Sequence, residues 1–122
     1  MTPAARLQAA IEILDQVVAS ARNDGPPADS IVSSYFKTRR YAGSKDRRAV
    51  RELAYRAIRR CADIPASGRS AALSLLAEEP ELAALFGEPR GPDPIHDGEE
   101  IAAPGTVPEW LRPQLSAHVD ES

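Results

Sequence analysis

The residues of this chain best suited to chemistry are the arginines of one stretch, GSKDRRAVRELAYRAIRR, at positions 43–60. Seven of its eighteen residues are Lys or Arg, and Tyr55 lies one helical turn from both Arg51 and Arg59. Guanidinium groups bind phosphates through forked pairs of hydrogen bonds, and an aromatic ring can stack on an unpaired base. This pattern predicts the binding of a polyanionic strand, and it does not form a recognisable catalytic constellation.

The distribution of charge sets this stretch apart from the rest of the chain. The total of −3 divides into −2 over residues 1–36, +8 over 37–60 and −9 over 61–122. A basic block between acidic flanks indicates an anionic partner. We predict RNA contacts at eight residues of this block, with the tyrosine as the stacking residue: Arg39, Arg40, Lys45, Arg47, Arg48, Arg51, Tyr55 and Arg59.

Two other interpretations of the basic face stay open. It is a solvated helix surface if Glu52 pairs with Arg48 and Arg56, each four residues away, although one carboxylate cannot offset so many cations. Alternatively, the face docks on the acidic residues of segment 78–100, or on a further domain, through complementary charge.

The remaining candidates for chemistry are isolated residues. Cys61 ends an apolar stripe with no histidine near it in sequence, which is typical of a small core residue, and a single cysteine excludes a disulfide within the chain. His96 and His118 are too few and too far apart to form a metal site with it. Trp110 is interpreted as a packing anchor. We therefore expect no catalytic residue, no metal site and no cofactor bound by this chain.

Composition predicts the elements that position these residues. The chain has 122 residues, of which 43% are hydrophobic and 5% aromatic, and it is rich in Ala and Leu. This composition favours a single all-α domain, which we expect to be a bundle of about five helices over residues 2–87. The first helix is capped by Thr2, begins at Pro3 and ends before Gly25, and the second runs from 28–30 to Phe36.

The third predicted helix carries the basic stretch. Ser44 is the predicted N-cap, and apolar residues recur at helical spacing from Val50 to Cys61, so that one side is buried and the arginines lie on the other. Beyond it, Ser67 or Ser70 is expected to cap a helix, and Pro80 either starts another or kinks the first.

The C-terminal third is predicted to be mostly irregular. Residues 88–106, which are acidic and rich in proline and glycine, are interpreted as a linker, and 107–122 as a short helical segment around Trp110. The chain has no apolar run near the roughly twenty residues that a membrane span needs, and its N-terminus lacks a signal-peptide pattern. We therefore expect a cytoplasmic protein with no membrane partner.

Two segments together resemble a known family. DRRAVRELAYRAIRR, at 46–60, and VPEWL, at 107–111, are similar to the N-terminal NusB-like region of the RsmB/NOP2/Sun RNA (cytosine-5) methyltransferases, and the resemblance covers essentially the whole chain. It implies a NusB-like helical fold, ribosomal RNA as partner, and a downstream catalytic domain that binds S-adenosylmethionine. Arg56 is a departure, because many relatives carry a small residue there, and it makes this surface more basic.

Two motifs of the catalytic part are missing from the sequence. No glycine-rich cofactor loop follows a strand, and no Pro-Cys motif is present. The resemblance therefore implies an accessory domain that positions RNA and is not an enzyme by itself. The alternative is a docking module of the NusB type, which contacts the catalytic domain or a ribosomal protein without touching RNA.

Overall fold

The computed structural model describes residues 1–61 and 64–101, and within these ranges it is helical with no strand. This confirms the all-α prediction. None of the described helices combines the length and apolarity needed to cross a membrane. The predictions for Trp110, His118 and segment 107–122 lie outside the described residues. The elements are α1 (Pro3–Arg22), α2 (Ala28–Lys37), α3 (Ser44–Arg60), α4 (Gly68–Leu73) and two 3₁₀ helices (Ser74–Ala77 and Pro80–Leu85).

Helix α1 is the centre of the bundle and packs against α2, α3 and α4. The helix begins where the sequence predicted. The Thr2 hydroxyl accepts a hydrogen bond from the Ala5 amide at 3.1 Å, and Pro3 occupies the first turn, where a backbone amide has no partner within the helix. Leu7, Ile13 and other apolar residues at helical spacing are at most 1% exposed. Burial of this stripe against three neighbouring helices stabilises the fold.

Helices α1 and α4 approach so closely that their contact requires a glycine. A Cβ atom on Gly68 would lie 2.4 Å from the carbonyl oxygen of Ile11 and 2.7 Å from the amide nitrogen of Asp15. The Gly68 amide also donates to the Asp15 carboxylate at 2.7 Å. A hydrogen atom in place of a side chain thus permits the backbone of α4 to rest directly on α1.

Helix α3 buries one side, as the sequence predicted. Val50, Ala57 and Cys61 are fully buried. The Cys61 thiol donates to the carbonyl of Ala57, and burial raises its pKa to about 11, so it remains a protonated core group at neutral pH.

The beginning of α3 differs from the sequence prediction by one residue. Gly43 occupies the N-cap position and Ser44 is the first helical residue. The side chain that caps this end is Asp46, whose carboxylate accepts from the Gly43 amide at 3.2 Å. Because Arg6 of α1 also binds this carboxylate, at 2.8 Å, the first turn of α3 is tied to α1. The hydrogen bond from Arg6 is the largest of the effects that lower the pKa of Asp46.

The segment after α3 is less regular than predicted. Ser67 is the cap of α4, accepting from the Ser70 amide at 3.0 Å, but the α-helix ends at Leu73 and continues as 3₁₀ turns. A proline at position 80 has no amide hydrogen, so a continuous α-helical ladder cannot pass through it. The second 3₁₀ helix starts at this proline and packs partly buried leucines against the core.

Residues 87–101, which we call the strap, lie along α1 and α4. The Gly87 amide donates to the Pro92 carbonyl at 2.7 Å, and the position of a Cβ on Gly91 would be only 2.8 Å from the Cβ of Ala4. Arg69 of α4 holds the far end through the Glu99 carboxylate and the Pro94 carbonyl. The first part of the predicted linker therefore packs on the bundle.

The contact between Arg69 and Glu99 predicts a specific acid sensitivity of the strap. Hydrogen bonds from the Arg69 guanidinium and the His96 amide lower the Glu99 pKa from 4.5 to about 2. Because the pKa is lower in the folded state, the ionised carboxylate stabilises the strap fully above about pH 4.5, and this contribution is lost as the pH falls toward 2. A carbon NMR titration of the Glu99 carboxyl should give its midpoint near pH 2.

The matched variant is Arg69→Gln, which removes the guanidinium and leaves the His96 amide in place. The Glu99 midpoint should then rise toward its ordinary value. An unchanged midpoint in this variant would show that Arg69 does not cause the shift.

Candidate nucleic-acid interface

The cations of α3 face away from the core because its apolar residues occupy the opposite side of the helix. Lys45, Arg47, Arg48, Arg51 and Arg59 are all exposed. None of them forms an ion pair with any carboxylate of residues 1–61 and 64–101. The predicted basic face is therefore an open surface over the described residues.

Three of the predicted contacts come together in one groove between α2 and α3. Arg47, Arg48 and Arg51 line a depression of about 380 Å³, which we call the arginine groove. No carboxylate lines it, although Asp46 directly precedes Arg47, because Asp46 is bound by Arg6. The other lining residues are Val32, Ser33 and Phe36 of α2 and Ser44 of α3.

Arg47 is held in place by two contacts. Its Nε donates to the Ala42 carbonyl at 2.9 Å, and its guanidinium carbon is 5.6 Å from the centre of the Phe36 ring. Both contacts fix the side chain at the groove while its two terminal nitrogens make no hydrogen bond with the described residues. A donor fixed in this way loses less conformational freedom when it binds an anion.

Arg39 and Arg40 lie outside the arginine groove. The guanidinium of Arg39 stacks on the Tyr35 ring at 3.7 Å and donates to the Tyr35 carbonyl at 3.1 Å. Tyr35 in turn donates from its hydroxyl to Glu12 of α1 at 2.5 Å, and burial together with this carboxylate raises its pKa. Arg40 is exposed and, among the described residues, has no ion pair. Arg39 is thus engaged in local packing, and Arg40 extends the open surface.

Tyr55, the predicted stacking residue, lies at the margin of the core. It is half-buried and packs against the buried cluster, and this desolvation is the largest of the effects that raise its pKa. The guanidinium of Arg59 is 5.8 Å from the ring centre. A base would therefore reach only part of the ring and would share it with Arg59.

Among the described residues, carboxylates pair with cations of α3 near its C-terminal end. Arg56 pairs with Glu79, and Arg60 pairs with Glu78 at 2.6 Å while donating to the Ser74 carbonyl. Docking of the basic face on acids of segment 78–100 therefore occurs at these two arginines. The pairing of Glu52 with Arg48 or Arg56 is not found in the described part of the chain, and Arg56 pairs with Glu79.

The sequence did not identify the α2 side of the arginine groove. Val32 and Phe36 are apolar residues of the second predicted helix, and Ser33 carried no signal beyond its polarity. Ser33 was recognisable only as a polar residue on a helix whose packing partner was unknown.

Within the described residues, no three His, Cys, Asp or Glu side chains are close enough to hold a metal ion.

No family model, no curated protein and no solved structure matches this chain.

Proposed function

We propose that this chain is an RNA-binding domain of the NusB-like kind, acting as an accessory to a methyltransferase that forms 5-methylcytosine in ribosomal RNA. In this proposal the catalytic domain, with its S-adenosylmethionine, follows in the same protein, and the chain alone positions the substrate without catalysing its modification. The resemblance at 46–60 and 107–111 supports the choice of enzyme class.

The observation that carries the RNA-binding part is the cluster of exposed cations on α3 that have no carboxylate partner among the described residues. The described structure neutralises Arg6, Arg56, Arg60 and Arg69 with carboxylates, yet it leaves five exposed cations on α3 without one. Like charges placed close together on a helix repel and destabilise it. A polyanion would offset this repulsion and gain affinity from the release of its counterions.

A salt series tests this proposal directly. If four or five cations contact phosphates, the logarithm of the affinity for a single-stranded ribosomal RNA fragment should fall against the logarithm of salt concentration with a slope of about −3. Affinity should then drop about 60-fold between roughly 0.05 and 0.2 M salt. Fluorescence anisotropy of a labelled fragment measures this slope.

Two results would contradict the proposal. Absence of RNA binding at every salt concentration would indicate a docking module that contacts only proteins. An affinity independent of salt would mean that the arginines do not meet phosphates. The accessory role is checked separately, because the chain alone, supplied with S-adenosylmethionine and the same RNA, is expected to transfer no methyl group.

A further inference from the structure

We infer that the arginine groove is a binding site for one nucleotide of a single-stranded RNA, with the phosphate on the arginines of α3 and the base against the guanidinium plane of Arg47 on the side toward α2. This inference rests on the proposed function and deepens it, because it states where on the basic face the strand is gripped. The strand would cross α3 at its N-terminal half, toward α2.

The phosphate half of the site is provided by Arg47, Arg48 and Arg51. The first and last of these are one helical turn apart, and all three line the same depression. Guanidinium groups present forked donors that match phosphate oxygens, and three of them around one anion supply both charge and orientation. No carboxylate of the described residues competes for them within ion-pair distance.

The base half of the site is provided by the guanidinium plane of Arg47, which lies beside Phe36 at the floor of the groove, where Val32 and Phe36 are only 3% and 5% exposed. Because Arg47 is held by the Ala42 carbonyl and lies beside the Phe36 ring, its exposed guanidinium can stack on an unpaired base. The hydroxyls of Ser33 and Ser44, both exposed at the rim, can bond to the sugar or to base edges.

The charge of the groove, and not its size, distinguishes it from other depressions on the described surface. Its volume of about 380 Å³ is within the range typical of small-molecule sites, about 300–1,000 Å³. A depression of about 430 Å³ lies on α1, but the Glu12 carboxylate lines it and would repel a phosphate. A smaller one, of about 230 Å³, is lined by Glu52 and by the ion-paired Arg56.

The decisive test introduces a carboxylate into the groove without removing an arginine. Ser33→Glu places a negative charge at the groove, while Ser34→Glu makes the same change at the neighbouring exposed residue of α2, which does not line it. Glutamate is a good helix former, so both variants should fold. We expect Ser33→Glu to weaken RNA binding about tenfold or more, and Ser34→Glu no more than about twofold.

A second measurement uses a single nucleotide in place of RNA. Uridine 5′-monophosphate should shift the amide NMR signals of Ser33, Ser44 and Arg48, whereas uridine without its phosphate should not, and inorganic phosphate should shift those of α3 alone. If inorganic phosphate shifts the amide signals of both helices as much as the nucleotide does, the groove binds only an anion. That result would overturn the nucleotide site.

The outcomes separate this inference from the proposed function. If the wild-type chain binds RNA but the two serine variants weaken it equally, the groove is not the site and the RNA-binding proposal stands. If the nucleotide binds in the groove but no RNA binds at any salt concentration, the site stands and the proposed function is wrong. Absence of nucleotide shifts in the groove at millimolar concentration would overturn the site.

Discussion

Reversing two charges on α3, by Arg48→Glu together with Arg51→Glu, is expected to lower the affinity for single-stranded RNA at least about 100-fold at about 0.1 M salt. Both side chains are exposed and line the arginine groove, and neither forms an ion pair with the described residues. The change removes two phosphate contacts and adds two carboxylates that repel the strand. The salt slope should become shallower by about 1.4, since each lost contact with a single strand contributes about 0.7.

The matched control reverses two arginines elsewhere on the molecule. Arg22→Glu with Arg90→Glu alters the net charge by the same amount, but Arg22 ends α1 and Arg90 lies in the strap, both away from the arginine groove. If affinity depended only on net charge, both double variants would lose it equally, and the proposed role of α3 would be wrong. Circular dichroism of both variants shows whether the helices remain intact.

Replacing Gly68 by alanine is expected to destabilise the fold by about 3 kcal/mol, one of the largest effects available from a single methyl group in this chain. The new Cβ would collide with the backbone of Ile11 and Asp15, and backbone cannot yield as the end of a flexible side chain does. The separation needed to relieve this clash would also stretch the hydrogen bond from the Gly68 amide to the Asp15 carboxylate. Urea denaturation followed by far-ultraviolet circular dichroism measures the change in the free energy of unfolding.

Gly43→Ala is the appropriate comparison for this prediction. Gly43 has a φ angle of −75°, which any residue adopts, and a Cβ there would meet only the Asp46 carboxylate at 3.8 Å. Its cost should stay below about 1 kcal/mol, the usual effect of a poorer N-cap residue. Equal destabilisation by the two substitutions would mean that the contact between α1 and α4 is looser than the structure shows.

The basic block of the sequence separates into parts with different roles once the chain is folded. Arg56 and Arg60 hold the acidic residues that follow α4, and Arg39 stacks on Tyr35, so these three contribute to packing. Arg47, Arg48 and Arg51 line the arginine groove. Lys45, Arg40 and Arg59 are exposed and do not line the groove. The candidate site is therefore smaller than the basic block.

Features that depend on one helix at a time were predictable from the sequence. The alternation of apolar and polar residues at helical spacing determined that the described chain is all-α, that α1 is buried along a long stripe, and that Cys61 is a core residue. The same periodicity determined that the arginines of α3 face outward. Each of these properties follows from residues three or four positions apart, which a helix places on the same side whatever lies beside it.

Only the tertiary structure decided which surfaces meet. Ser33 and Arg47 line one groove although fourteen positions separate them, Glu79 rather than Glu52 neutralises Arg56, and Gly68 is required because α4 rests on α1. The physical reason is that these contacts depend on how closely and at what angle two helices cross, which is determined by the shapes of both packed surfaces together. A periodic pattern along one helix reports which side is buried and carries no information about the partner that covers it.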